Sequence, residues 1–291
     1  MFEGFAEQMI HVGEASIMTR HRYGEGTPVL LLHGHPRTSA TWHRVALLLA
    51  AAVMPVVCAD LRGYGRSQGP EPISNHVPHS KRVAATDMIM AMRALGYDRF
   101  ALVGHDRGSY VALRLALDHP EVVTWLSLLD CIPISEHLDR INERFATAWW
   151  HWFFFAQPEI PGRVSTQIPS RAIELIENEW GRELLWMVSL RWQANGRSSD
   201  VRGLPSRVDH RCGCEDRSIG RRLQMPVQVL WSLGDDLVDL YGDPRRIWRH
   251  WANDLGGAGI DAGRRMAEDA PEELANSLPG FAGEIASRSR L

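Results

Sequence analysis

The chain has 291 residues, of which 45% are hydrophobic and 23% charged, with a formal net charge of −3. It is long enough to bury the core of one domain carrying an insertion, and its charge balance gives no reason to expect a nucleic-acid partner. No apolar stretch reaches the length of a membrane span, and the N-terminal segment carries Glu3 and Glu7 with no signal-peptide core, so a cytoplasmic protein is expected. Cys58, Cys131, Cys212 and Cys214 form no disulfide framework, and Cys212-Gly213-Cys214 lacks the spacing and second ligand pair of a zinc site, so no metal is expected.

In chain order, residues 7–12 and 15–22 read as a hairpin turning at Gly13-Glu14. Pro28 to His33 is a continuous apolar run, as in a strand covered on both faces, and a helix is expected from Thr41 to about Ala52. Val56 to Asp60 is the next strand. Val83, Met88, Ile89, Met92 and Leu95 give residues 81–95 helical spacing. Phe100 to Val103 is a strand, Gly108 to Asp118 a helix, and Val123 to Leu129 another buried strand ending at Asp130. From about Ile134 to Leu223 strand-like runs vanish, and the segment reads as helices broken by Pro158, Pro161, Pro169 and Pro205. Val227 to Trp231 restarts the sheet and Asp243-Pro244 opens a helix. Ala258 to Asp261 is a last short strand, and residues 271–287 a closing helix. Strand–helix alternation of this kind predicts a doubly wound, mostly parallel α/β sheet. The expected division is a core of residues 1–133 and 223–291, with a helical cap inserted at 134–222.

The most informative segment is Gly104-His105-Asp106-Arg107-Gly108, placed between a strand and a helix. Flanking glycines let the chain turn sharply, which presents the central side chain at the top of the sheet. Here that side chain is a carboxylate. A carboxylate attacks carbon to give an alkyl ester, which suits halide displacement or epoxide opening.

Together with His33-Gly34-His35-Pro36 and Asp60-Leu61-Arg62-Gly63-Tyr64-Gly65-Arg66-Ser67, this segment resembles the α/β-hydrolase superfamily, and within it the haloacetate (fluoroacetate) dehalogenases and neighbouring epoxide hydrolases. Leu129-Asp130-Cys131-Ile132-Pro133 and Trp149-Trp150-His151-Trp152 tilt the resemblance toward the dehalogenases. It is close over residues 25–160, recognisable over 225–280 and poor over 161–222. The resemblance implies a three-layer α/β-hydrolase fold with an inserted helical cap. It makes Asp106 the nucleophile and Arg107 the grip on a substrate carboxylate, a task suited to a planar guanidinium. Tyr110 stands where relatives often carry a second arginine. His151 and Trp152 map onto donors to the departing halide, although the same aromatic run also reads as the apolar face of a cap helix. The backbone N–H groups of His35 and Arg107 become the expected oxyanion donors, with no chemical task for the His35 side chain. All five tyrosines lie outside 134–222, so the cap tyrosine that completes a halide site, or protonates an epoxide, has no counterpart.

One departure bears on turnover. The chain has no histidine after His250, and Arg264 occupies the position of the family's catalytic base. An arginine keeps its proton near neutral pH and is no general base. The acid that would orient a base is Asp130 or Asp235. With no histidine to orient, either acid is left as a relic or as a partner for Arg264. An ion pair of Arg264 with Asp106 or Asp130 is expected, and the side chain of His105 is expected to point away from its neighbour Asp106. The resulting expectation is a hydrolase of the haloacetate dehalogenase type that takes a small 2-halo acid, with turnover impaired by the missing base. It needs no cofactor, and a homodimer is left open. The alternatives are an inactive homologue that binds a small ligand and an epoxide hydrolase.

Overall fold

The computed structural model describes residues 1–71, 77–155 and 207–288. Its centre is an eight-stranded sheet in the order β1-β2-β4-β3-β5-β6-β7-β8. The hairpin β1 (Ala6–Val12) and β2 (Ala15–Arg22) turns between Val12 and Ala15, and β2 pairs antiparallel with β4 (Val56–Ala59). From there the strands are parallel: β3 (Val29–Leu32), β5 (Phe100–His105), β6 (Val123–Leu129), β7 (Val227–Ser232) and β8 (Leu255–Ile260). This is the doubly wound sheet that the alternation predicted.

The continuous apolar runs split by the strand period of two. Leu30, Leu32, Val57, Phe100 and Leu102 bury one face, against Met88 and Met92 of α2 (Lys81–Ala94) and Val111 and Leu115 of α3 (Arg107–Asp118). Val29, Leu31, Val56, Ala101 and Val103 bury the other, against Val45 and Leu49 of α1 (His43–Ala51) and Leu274 and Leu278 of the closing helix Pro271–Arg288. Helices on both faces are what a parallel sheet requires, because each strand is apolar all round.

Two elements depart from the sequence reading. The helix expected from Thr41 opens with a 3-10 turn, Ser39–Trp42, in which the Thr38 hydroxyl accepts the Ala40 N–H at 3.3 Å. The last strand begins at Leu255, three residues before the expected Ala258. Gly256, Gly257 and Gly259 leave it almost no side-chain pattern to read.

Within the expected insertion, the described helices are α4 (Ile134–Asp139), α5 (Glu143–Ala148), α6 (Trp150–Phe155) and, where the chain returns, α7 (Arg207–Ser218). Pro158, Pro161, Pro169 and Pro205, read as helix breakers, lie outside the described residues. Contacts at both ends fasten this segment to the core. Asp209 of α7 accepts from the Lys81 backbone N–H at 2.9 Å and pairs with Lys81 Nζ at 3.3 Å, and Asp216 pairs with Arg114 at 2.6 Å. At the other end, Trp149 Nε1 donates to Asp236 Oδ2 at 2.7 Å, in the loop after β7. After β7 come α8 (Leu237–Tyr241) and α9 (Arg245–Trp248), the latter opened by Asp243, whose carboxylate accepts the Arg245 N–H at 3.0 Å. Among the described residues, no helix is long and apolar enough to cross a membrane.

Candidate active site

The residues singled out in the sequence gather at the carboxyl ends of the parallel strands, where ligands bind in open α/β sheets. The loops involved follow β3 (His33 to Pro36), β4 (Asp60 to Ser67), β5 (Asp106), β6 (Asp130), β7 (Asp235) and β8 (Arg264).

Asp106 sits on the turn between β5 and α3 with φ 51° and ψ −116°, a conformation that an L-residue holds only when its surroundings impose it. The flanking glycines explain how the turn closes. A Cβ on Gly104 would stand 2.5 Å from the Gly108 carbonyl oxygen, and one on Gly108 would run into the Leu32 carbonyl of β3. The Asp106 N–H donates to the Leu129 carbonyl at 3.1 Å, and its carbonyl accepts the Ser109 N–H at 3.0 Å. The carboxylate projects toward the loop after β3, where Oδ1 accepts the backbone N–H of His35 at 2.7 Å. This N–H is one of the two expected to serve as oxyanion donors. The Arg107 N–H, the other expected donor, opens α3.

A network holds that loop. His33 is buried, with Nε2 accepting the Leu61 N–H at 3.0 Å and Nδ1 facing the Gly34 carbonyl at 2.8 Å. Burial lowers its pKa, so the neutral ring is the native form. Asp60 accepts the N–H groups of Ser39 and Arg66 at 2.8 and 3.0 Å, which fixes the loop carrying Tyr64. Tyr64 is the residue that the sequence reading passed over. Its buried hydroxyl lies 2.7 Å from His35 Nδ1 and accepts a hydrogen bond from Arg107 Nη1, while the Arg107 guanidinium carbon lies 5.4 Å from the centre of its ring. Its place in Gly63-Tyr64-Gly65, within one of the quoted motifs, was the available signal. Burial, helped by Arg107 and His151, pushes His35 well below the usual imidazole range. The His35 side chain is thus a fixed neutral spacer between Tyr64 and the nucleophile loop.

The two candidate acids, Asp130 and Asp235, follow β6 and β7. Asp130 ends β6 with φ 49°. Its two oxygens accept the Ser232 N–H at 2.6 Å and the Ser232 hydroxyl at 2.8 Å. His105 Nε2 lies 3.4 Å from Asp130 Oδ2. Burial works against the charged form of His105, but the Asp130 carboxylate, with Asp106 and Asp235 behind it, outweighs burial and raises the pKa. A histidine that the sequence reading had not placed there thus lies within ion-pair distance of Asp130, although its Nε2 makes no hydrogen bond in this arrangement. Strand register explains this, because His105 pairs with Leu129 and so stands beside residue 130.

Asp235 has the other partner. Arg264 Nε lies 4.0 Å from Asp235 Oδ2, with the arginine side chain half exposed. The expected ion pair of Arg264 with Asp106 or Asp130 is corrected accordingly. Ser232 pairs with Ile260, and the N–H of Gly234 donates to the Ala262 carbonyl at 3.0 Å, so the loops after β7 and β8 run side by side. Burial raises the Asp235 pKa against the opposing effect of Arg264.

The insertion brings His151 to the same place. Burial, with the Arg264 guanidinium adding to it and Asp106 opposing, lowers the His151 pKa to about 4. Trp152 is buried edge-on to Tyr110, with ring centres 6.2 Å apart. Tyr110 is buried and its hydroxyl is 3.2 Å from His137 Nε2, so it belongs to this aromatic cluster as much as to the pocket. His137, also passed over in the sequence, bridges Tyr110 to the Tyr241 hydroxyl at 2.7 Å and is held neutral by burial, its pKa lowered to about 3. A cavity is lined by Lys81, Tyr110, Arg114, Ser135, Asp209 and Trp251, so Tyr110 borders it, whereas Asp106 is not part of its wall. Among the described residues, no group of three His, Cys, Asp or Glu side chains could hold a metal ion.

This geometry has counterparts among known proteins. The family described as alpha/beta hydrolase fold matches residues 27–254. The chain is 33% identical to a fluoroacetate dehalogenase from Burkholderia sp, over 99% of this chain and 97% of that protein. It is 30% identical to a soluble epoxide hydrolase from Corynebacterium sp. (strain C12), covering 89% of this chain and 91% of the relative. A solved structure of a candidate epoxide hydrolase from Pseudomonas aeruginosa superposes with a TM-score of 0.84 at 36% identity, covering 98% and 97% of the two chains. With the elbow, the sheet order and these matches in agreement, the chain belongs to the alpha/beta hydrolase fold family.

Proposed function

We propose that the chain is a hydrolytic dehalogenase of a small 2-halo acid and works through an ester on Asp106. The observation that carries this reading is the carboxylate on the elbow, with Oδ1 already engaged by the His35 N–H. That contact leaves Oδ2 to attack the carbon bearing the halogen. Carbon–oxygen bond formation and carbon–halogen cleavage are one displacement, so this step moves no proton. The segment 134–222 acts as the cap. Arg107, oriented by Tyr64, binds the substrate carboxylate, and the neutral ring of His151, with Trp152 and Tyr110 forming the wall behind it, faces the departing halide. The relative named fluoroacetate dehalogenase supports the same substrate class.

Epoxide hydrolysis is the second reading, favoured by the soluble epoxide hydrolase that matches most of the chain. Both readings share the Asp106 ester. Incubation with chloroacetate or fluoroacetate should release halide through a transient carboxymethyl ester on Asp106, caught by acid quenching within the first turnover and located by peptide mass mapping. If the diol of a simple epoxide forms instead, the second reading takes over. If neither probe reacts, the chain is a binding protein without this chemistry.

A further inference from the structure

Arg264 cannot activate water, yet the ester must be hydrolysed if the enzyme is to turn over. We infer that His105, paired with Asp130, is the general base that hydrolyses the Asp106 ester. This inference rests on the proposed function above.

Three observations converge on His105. Its Nε2 faces Asp130 at 3.4 Å, and Asp130 is held in turn by the N–H and hydroxyl of Ser232 at 2.6 and 2.8 Å. Nε2 makes no hydrogen bond at this distance, so a small approach of the ring would complete the carboxylate-oriented base that nucleophile hydrolysis requires. His105 is also joined to the nucleophile by one peptide bond, and both are held by β6: His105 pairs with Leu129, whose carbonyl accepts the Asp106 N–H at 3.1 Å. The ester carbonyl would be polarised, because Oδ1 accepts the His35 N–H at 2.7 Å. The competing histidine, His151, is a weaker candidate. The Arg264 guanidinium opposes its taking up a proton, and Arg264 itself lies within ion-pair range of Asp235.

The step balances as follows. His105 Nδ1 takes a proton from water while the resulting hydroxide bonds to Cγ of Asp106. The C=O π pair moves onto Oδ1, toward the His35 N–H. Collapse restores the carbonyl and breaks the bond between Cγ and the alkoxide oxygen of the product. The alkoxide takes the proton back from His105, leaving a 2-hydroxy acid, and the Asp106 carboxyl, which carries one oxygen from water, gives its remaining proton to solvent to restore the carboxylate.

The test separates ester formation from ester decay. Intact-protein mass is followed after mixing with chloroacetate, with hydroxylamine lability and peptide mapping used to assign the adduct to Asp106 rather than to a cysteine. The wild type is expected to turn over many times without accumulating ester. His105→Gln and His105→Asn should form the ester and then retain it, with decay slowed about 10²-fold or more, the scale of general-base catalysis. Arg264→Ala should lose its ester at least as fast as wild type. Ester accumulation in the wild type, or trapping by His151→Gln with normal decay in the His105 variants, overturns the inference. Should the His105 variants fail to fold, His151→Gln decides it, because a trapped ester in that variant overturns the inference and wild-type ester decay in it supports the inference. Absence of any adduct in every protein sinks the Asp106 reading itself, a pattern distinct from a trapped ester.

Discussion

Gly34→Ala tests whether the loop after β3 sets the position of the nucleophile. A Cβ at Gly34 would stand 2.6 Å from Asp106 Cβ, 2.8 Å from Oδ1 and 3.1 Å from Cγ. Ordinary van der Waals contact begins at 3.4 Å, so the two groups must separate by about 0.8 Å, taking the difference 3.4 − 2.6. Asp106 cannot easily yield, because its backbone is tied to Leu129 and Ser109. The loop yields instead, or the carboxylate rotates, and either movement breaks the 2.7 Å contact between Oδ1 and the His35 N–H. A misplacement near 1 Å costs about 10²-fold in an aligned displacement, so ester formation with chloroacetate should slow by about that factor. Overpacking of this kind destabilises by about 1–3 kcal/mol, which a urea titration would register while the fold persists. Halide released within the first turnover, read by rapid quench, gives the alkylation rate directly. Wild-type alkylation in a folded Gly34→Ala protein would refute the claim that this glycine sets the reactive geometry.

Ser232→Ala removes the hydroxyl donor to Asp130. A hydrogen bond to a buried charge is worth about 1.5–3 kcal/mol, so chemical denaturation at neutral pH should show a loss of that size, with a smaller change in a variant of an exposed serine. His137 gives a pH prediction. Its folded pKa of about 3 lies below the ordinary value of about 6.5, so the unfolded chain binds the proton first. The stability it contributes is complete above about pH 6.5 and falls by about 1.4 kcal/mol per pH unit as pH drops toward 3. His137→Gln should flatten the dependence of Tm on pH between 6.5 and 4. An unchanged slope would mean that His137 is protonated in the folded protein.

The sheet was legible because a parallel strand buried on both faces leaves an uninterrupted apolar run, as Val29–Leu32 and Phe100–His105 do. Asp106 was legible because its glycine frame is local. What escaped was set by pairings remote in sequence. His105 reaches Asp130 through the register of β5 on β6, His137 meets Tyr241 from 104 positions away, and Tyr64 meets Arg107 from 43. Arg264 shows the same cause in reverse. Its motif position pointed to Asp106 or Asp130, whereas the lateral contact of the loops after β7 and β8 delivers it to Asp235. A strand edge rich in glycine, such as 255–260, carries too few side chains for any periodicity to announce it.

The bond from Trp149 to Asp236 ties two parts of the protein to one handle. Trp149 lies between α5 and α6, one residue before Trp150 and two before His151, while Asp236 follows directly on Asp235, the partner of Arg264. A displacement of the insertion at this point pulls on the loop after β7 and shifts the ion pair beside His151. Mechanical coupling of that kind makes the electrostatic setting of the pocket a function of how the insertion is seated. Trp149→Phe, which keeps the ring and deletes the donor, would cut the tether while leaving the aromatic packing in place.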